Sequence, residues 1–237
     1  MGLEINRQLR KDKIPSAPYT HRCKPLKKMK NQNISELEPN TIIGDDHDGW
    51  INLPAWEGFQ ARNGAYGAKN SEEPSDGIIK THTIGISVDY VHQLSQAQFE
   101  SIQYLTNNSE IVRDSLLNSL LKDYPNAKEI YEELIPEINS IEEYKEHLGL
   151  SFLHIMDSEK DGFAYYGFEL GCSWDDEHGV GVMMHKDRVI KVGLAEESFN
   201  HWTTYDDNGT SEQEQKNWEK ENEQLTRERK KWWQFWK

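Results

Sequence analysis

Residues 163–194, FAYYGFELGCSWDDEHGVGVMMHKDRVIKVGL, constrain this chain more than any other stretch. Two apolar runs rich in aromatic and β-branched side chains flank a tight group of acids, a histidine and glycines. A third short run follows a polar Lys186-Asp187-Arg188 turn. That pattern predicts a β-meander whose first loop carries Asp175, Asp176, Glu177 and His178.

The rest of the chain supplies both strands and helices. GDDHDGWINL reads as a turn entering a strand, Asn63-Gly64 as a hairpin turn, and Ser71–Gly77 as an exposed loop. In IIKTHTIGISVDY, alternation sets Ile84, Ile86, Val88 and Tyr90 on one face of a half-buried strand. Residues 95–148 change to helical spacing. Ser95 with Gln98 forms a capping box, followed by Phe99, Ile102 and Leu105 on one face. A second helix starting near Asn108 or Ser109 carries the broad stripe Val112, Leu116, Leu117, Leu120, Leu121 and Tyr124, wide enough to pack across a sheet. Pro125 and Pro136 are expected to start or stop shorter helices. Ser140 with Glu143 predicts another cap, and Gly149 a helix stop. Strands return at Ser151–Met156, Phe163–Trp174 and a Val180–Gly193 hairpin, with LAEESF as a short closing helix. Strands, then helices, then strands joined by short turns predict an α+β fold. It is an antiparallel sheet of meanders and hairpins with a helical insert packed on one face, plus a C-terminal helix.

Three regions follow: a basic extended arm over 1–40, an α+β domain over 41–205, and a charged helix with a Trp-rich basic tail over 206–237. In that helix Ser211 and Glu214 form a third capping box, and Trp218, Leu225 and Trp232 recur every seven residues as a thin apolar seam. The net charge of -14 hides an uneven layout. Residues 1–30 hold nine Lys/Arg against two acids, and 225–237 hold five against one, so residues 31–224 carry -25. A centre that acidic repels nucleic acid and attracts basic protein. The mean hydropathy of -0.87 and the absence of any apolar run near the ~20 residues of a membrane span predict neither a transmembrane segment nor a secretory signal. Two distant cysteines, Cys23 and Cys172, make no disulfide framework and fit a reducing cytoplasm.

Catalytic signatures are scarce. The sequence has no G-x-S-x-G, Walker loop, G-x-G-x-x-G or C-x-x-C, so no cofactor is expected. Asp175, Asp176, Glu177 and His178 could ligate a metal or act as a general base, with His47 joining from the similar Asp45-Asp46-His47-Asp48-Gly49 turn. Consecutive turn residues rarely converge on an ion, so a turn-stabilising role for His178, with Gly179 at positive φ, outranks a metal site. His82, His92, His154, His185 and His201 are scattered over strands or just beyond them, without helical zinc spacing. Cys172 belongs in a buried strand. The tail ERKKWWQFWK is different: Trp232, Trp233, Phe235 and Trp236 among bases suit an anionic membrane interface, a partner groove, or a cap on the domain.

From about Trp50 to Trp202 the chain resembles the DUF6985 type, an uncharacterised bacterial domain family. The likeness rests on Cys172-Ser173-Trp174-Asp175-Asp176-Glu177-His178-Gly179, then Val192-Gly193 and a short helix at Glu196–Phe199. The resemblance brings no reaction with it. Relatives near polymorphic toxins imply an immunity or partner-binding role. The leading expectation is therefore a cytoplasmic, non-enzymatic protein that binds another protein, a basic toxin, through Asp175, Asp176, Glu177 and His178. One alternative is a peripheral membrane adaptor at the inner membrane, anchored by the aromatic tail. Another is a metal-dependent hydrolase built on His178 and its neighbouring acids.

Overall fold

The computed structural model describes residues 41–43, 48–60, 83–89, 94–175 and 177–235, with side chains for 48–60, 84–89, 94–175 and 177–227. All lie in the compact unit Gln32–Lys237. The expected turn at 44–47, Asn63-Gly64, the 71–77 loop and Tyr90 fall outside these residues, as do His47, His82, His92 and the arm.

Among the described residues, seven strands form one sheet in sequence order. They are β1 (Thr41–Ile43), β2 (Asp48–Asn52), β3 (Thr83–Val88), β4 (Leu148–Lys160), β5 (Phe163–Cys172), β6 (Val180–His185) and β7 (Arg188–Gly193). Helices α1 (Gln96–Asn107) and α2 (Ser109–Tyr131) lie between β3 and β4, and α3 (His201–Asn208) and α4 (Ser211–Phe235) close the chain. The α+β class, with its helical insert and C-terminal helix, stands. Every strand pair is antiparallel except β3–β4. Parallel neighbours need a long crossover, and the helical insert supplies it.

Alternation along the central strands divides the side chains between two layers. Even-numbered residues of β5 (Ala164, Tyr166, Phe168, Leu170, Cys172) join Leu153, Ile155, Val182 and Met184 in the main core, which α1 and α2 cover. Ile84, Ile86 and Val88 of β3 are buried there as the alternation predicts. Helix α1 begins at the expected capping box: Gln98 N donates to Ser95 Oγ at 3.1 Å and Ser95 N to Gln98 Oε1 at 2.9 Å. Its Ser101 hydroxyl donates to the Ala164 carbonyl at 2.9 Å, tying the helix to β5.

Four local expectations need correction. Ser140 caps no helix: the 3-10 turn Glu143–Glu146 follows Glu142 with no side-chain cap, and the Ser140 hydroxyl donates to Glu143 Oε1 at 3.1 Å. Pro125 does not break α2, which continues to Tyr131. An interior proline removes one backbone donor, but buried Leu116, Leu117 and Leu120 hold the preceding turns, and Tyr124 Oη donates to the Pro136 carbonyl at 2.8 Å beyond them. Gly149 ends no helix. A 3-10 turn stops at Glu146, and Gly149 lies inside β4, paired with Gly171. Ser211 is the first residue of α4 rather than its cap; Thr210 precedes it and its carbonyl accepts from Gln213 and Glu214 N.

The second face of the sheet is covered by the chain's own backbone. The 3-10 turn Ala195–Phe199 lies flat on β5 and β6. A Cβ on Gly167 would fall 1.6 Å from the Ser198 carbonyl oxygen, and one on Gly181 would fall 2.3 Å from that of Leu194. Glycine is required there because backbone meets backbone. Glu197 is buried under this turn, taking Lys191 Nζ at 2.9 Å and the Thr203 hydroxyl. Helix α3 follows directly and is locked by Asp207. That carboxylate accepts both Arg188 guanidinium nitrogens (2.8 and 2.7 Å), the Tyr165 hydroxyl (2.7 Å) and Lys160 Nζ (3.1 Å).

Gly167→Ala should therefore cost about 3 kcal/mol or more in urea denaturation. Gly162→Ala, in an open turn at φ +80°, should cost only about 1 kcal/mol. The Arg188 bond, seconded by Tyr165 and Lys160 against an opposing effect of burial, holds the Asp207 carboxyl well below the usual carboxylate range. A depressed folded pKa contributes stability above the unfolded value and loses it as pH falls through the folded one. Asp207→Asn should thus cost about 2 kcal/mol at neutral pH. It should also flatten the loss of stability seen on acidifying the parent below about pH 4.

Candidate functional site

The loop 173–179 leaves β5 at Cys172, which is fully buried and whose Sγ approaches the Asp175 carbonyl at 3.4 Å. Asp175 turns inward. Its Oδ1 accepts Glu177 N at 3.1 Å and His178 N at 2.9 Å, and its Oδ2 accepts the Tyr131 hydroxyl at 3.0 Å. Burial works to raise its pKa, but these bonds outweigh it and hold the carboxyl below the ordinary value. His178 Nδ1 stands 3.1 Å from the same Oδ1, and Gly179 takes φ +60°. The Asp175 side chain is only 9% exposed, so it braces the turn instead of projecting from it, while His178 is 54% exposed. Glu177 is exposed; Asp176 lies outside the described residues.

Two contacts fasten this loop to the segment between α2 and β4. Tyr131, the last residue of α2, supplies one. The other is a pair of hydrogen bonds between His147 and Ser173: Ser173 N donates to the His147 carbonyl at 2.9 Å, and the side chains meet at 3.0 Å. Buried Ile135, Ile138 and Tyr144 pin the segment from beneath. Its acids Glu132, Glu133, Glu137, Glu142, Glu143 and Glu146 remain exposed. They line two open concavities that share Glu137. One, of about 360 Å³, is bounded by Glu137, Glu142, Glu143, Glu146 and His147. The other, of about 610 Å³, is bounded by Lys128, Glu132, Glu133, Ile135, Pro136 and Glu137. Ile130 and Leu134 are 74% and 71% exposed at the same edge. The result is a display of carboxylates, with two exposed apolar side chains from the same stretch of chain, on a frame held by buried Ile135, Ile138 and Tyr144.

A second constellation draws on three separate elements. His201, the first residue of α3, places Nε2 3.2 Å from Asp89 Oδ2 and Nδ1 3.5 Å from Asp157 Oδ1. Burial acts to lower the His201 pKa, but the Asp157 hydrogen bond and the charges of Asp89 and Asp157 prevail and raise it. Tyr205 stacks near the imidazole, its hydroxyl pKa raised by burial and then by Asp157, Glu214 and Asp89. Sequence reasoning missed this group and left His201 among scattered histidines. Residues 89, 157 and 201 share no motif spacing, and only the strand order brings them together.

A family model described as a domain of unknown function, DUF6985, matches residues 63–199. The chain belongs to that family. No curated protein and no solved structure matches it. The matched stretch contains the 173–179 loop, the glycines under the 195–199 turn, and Asp89 and Asp157; His201 and α4 follow it. Helix α4 buries none of its described side chains through Arg227, and Trp218 and Leu225 stand 40% and 45% exposed. Its backbone is helical to Phe235, but the side chains of Trp232, Trp233 and Phe235, and Trp236 altogether, lie outside the described residues. Among the described residues no helix is long and apolar enough to cross a membrane.

Asp175→Ala should release the amides of Glu177 and His178 and destabilise the fold by about 1–3 kcal/mol. Tyr131→Phe should cost about 1 kcal/mol. Amide hydrogen exchange of residues 177 and 178 checks both: it should accelerate strongly in the first variant and modestly in the second.

Proposed function

We propose that this protein is a non-enzymatic binding protein that captures a basic protein partner on the acidic face formed by residues 132–147 and the 173–178 loop. One observation carries the reading. The Tyr131–Asp175 and His147–Ser173 bonds join two acidic segments that are distant in sequence into one exposed surface. Seven exposed glutamates lie on it (132, 133, 137, 142, 143, 146 and 177), with Lys128 and Lys145 as the bases beside them. A field of that sign accelerates encounter with a positive surface and rejects anionic partners. Exposed Ile130 and Leu134 offer the desolvated contacts that charge alone does not supply. The same field disfavours an anionic bilayer approaching this face. Within this reading Asp175 positions the loop, while Glu177 and the segment glutamates meet the partner. Neutralising a toxin by covering its basic cleft is the specific form of the reading, supported by the -25 charge of the centre.

The test is co-purification with a basic toxin encoded beside this gene. Raising salt from about 0.05 to 0.5 M should weaken the complex at least about tenfold. The triple reversal Glu133→Lys, Glu142→Lys, Glu177→Lys should abolish it without changing the melting temperature. A complex indifferent to both would remove the charged face from the mechanism.

A further inference from the structure

We infer that Asp89, Asp157 and His201 form a binding site for one divalent first-row transition-metal ion, of the zinc, cobalt or manganese type. The three side chains offer one nitrogen and two oxygen donors that all lie within 4.8 Å of one another. A cation about 2.1 Å from each donor holds neighbouring donors roughly 3–3.5 Å apart. The carboxylates face different ring nitrogens, Asp89 Oδ2 at 3.2 Å from Nε2 and Asp157 Oδ1 at 3.5 Å from Nδ1, so the Nε2–Asp89 pair is already in that range and the half-exposed Asp157 side chain would turn to complete the set around one ion.

Each donor is carried by a backbone fixed by other contacts. Asp89 N donates to the Ile155 carbonyl at 2.8 Å, and the Asp89 carbonyl accepts the Gln98 side-chain amide. Gln98 is buried, and its amide also donates to the Met156 carbonyl at 3.1 Å, so one side chain spans the strand ends that present both aspartates. Asp157 lies in the stretch of β4 where the register with β5 shifts between Ile155 and Glu159. Such bulges re-aim a side chain out of strict alternation. His201 is held by α3, where the Thr204 hydroxyl meets Ser158 Oγ of β4 at 2.8 Å and the His201 carbonyl at 2.8 Å. Supporting contacts of this kind orient metal ligands.

The donor set selects the ion. One imidazole with two carboxylates suits borderline first-row ions, whereas calcium takes six to eight oxygens and magnesium favours an all-oxygen octahedron. The Asp157 side chain is 51% exposed, which leaves the remaining coordination positions open to water. Two carboxylates facing one imidazole also leave a net negative site, which a divalent ion neutralises better than a single proton does. Bound there, the ion would staple the end of β3, the β4 bulge and the start of α3. This site lies apart from the acidic face, so either reading can fail without the other.

The full chain, stripped with a chelator and dialysed, is titrated with Co²⁺ and followed by its visible absorption. Saturation at one equivalent is expected, with a rise in melting temperature as ion is added. Asp157→Asn should lower the Co²⁺ affinity at least about tenfold, as should His201→Gln, while His178→Ala, which removes an exposed histidine elsewhere, should bind as the parent does. Because Asp157 is half exposed, its variant keeps the test decisive even if His201→Gln fails to fold. No saturable uptake, uptake unchanged in Asp157→Asn, or uptake lost in His178→Ala would overturn the site.

Discussion

The close approach of the Ala195–Phe199 turn to the glycines of β5 and β6 decides where the rest of the molecule can go. With no Cβ at Gly167 or Gly181, the turn's carbonyls lie against the sheet backbone. A side chain at either position would lift the turn, and α3 with it. Asp207 would then lose Arg188, Tyr165 and Lys160, which reach it from three different strands. His201 would likewise move away from Asp89 and Asp157. The main core on the opposite face is a conventional burial of aliphatic and aromatic side chains under two helices, and it tolerates adjustment more readily than a contact with no spare ångström.

The acids of this protein divide into two kinds with opposite physical roles. Asp175, Glu197 and Asp207 are largely enclosed, and each accepts several hydrogen bonds that fix a turn or a helix. Such carboxylates stabilise the fold because each gathers several donors, and removing one breaks all of those hydrogen bonds together. The glutamates of 132–147 are exposed, so solvent screens them and each contributes little to stability. Their effect is collective and acts at a distance, through the field they set up together. A uniformly acidic composition conceals this division, since the same residue types serve both purposes.

Much of the scaffold was legible before any coordinates. Two-residue alternation located β3; apolar runs rich in aromatic and β-branched side chains located β5 and the β6–β7 hairpin; the Ser95–Gln98 box located the start of α1; and the wide stripe on α2 announced a helix laid on a sheet. These are local signals, carried by neighbours along the chain. The misreadings were also local rules, overridden by packing: Pro125 sits within a helix because contacts on both sides hold it there, and Gly149 belongs to a strand because Gly171 pairs with it. The Asp175 loop is legible in the sequence, but the inward turn of its first acid is not, because a sequence cannot show that Tyr131, 44 positions earlier, donates into it.

The sequence by itself determined the fold class, the negative centre and the loop that carries Asp175 and His178, because periodicity, charge and turn chemistry are properties of adjacent residues. Tertiary structure alone decided which acids are spent inside and which face outward, how the 132–147 segment joins the 173–178 loop, and that Asp89, Asp157 and His201 meet. The joining of the acidic segments rests on the Tyr131–Asp175 and His147–Ser173 bonds, and the meeting of Asp89, Asp157 and His201 on strand order and the glycine-floored turn; none of these leaves a mark on the spacing of the residues it brings together.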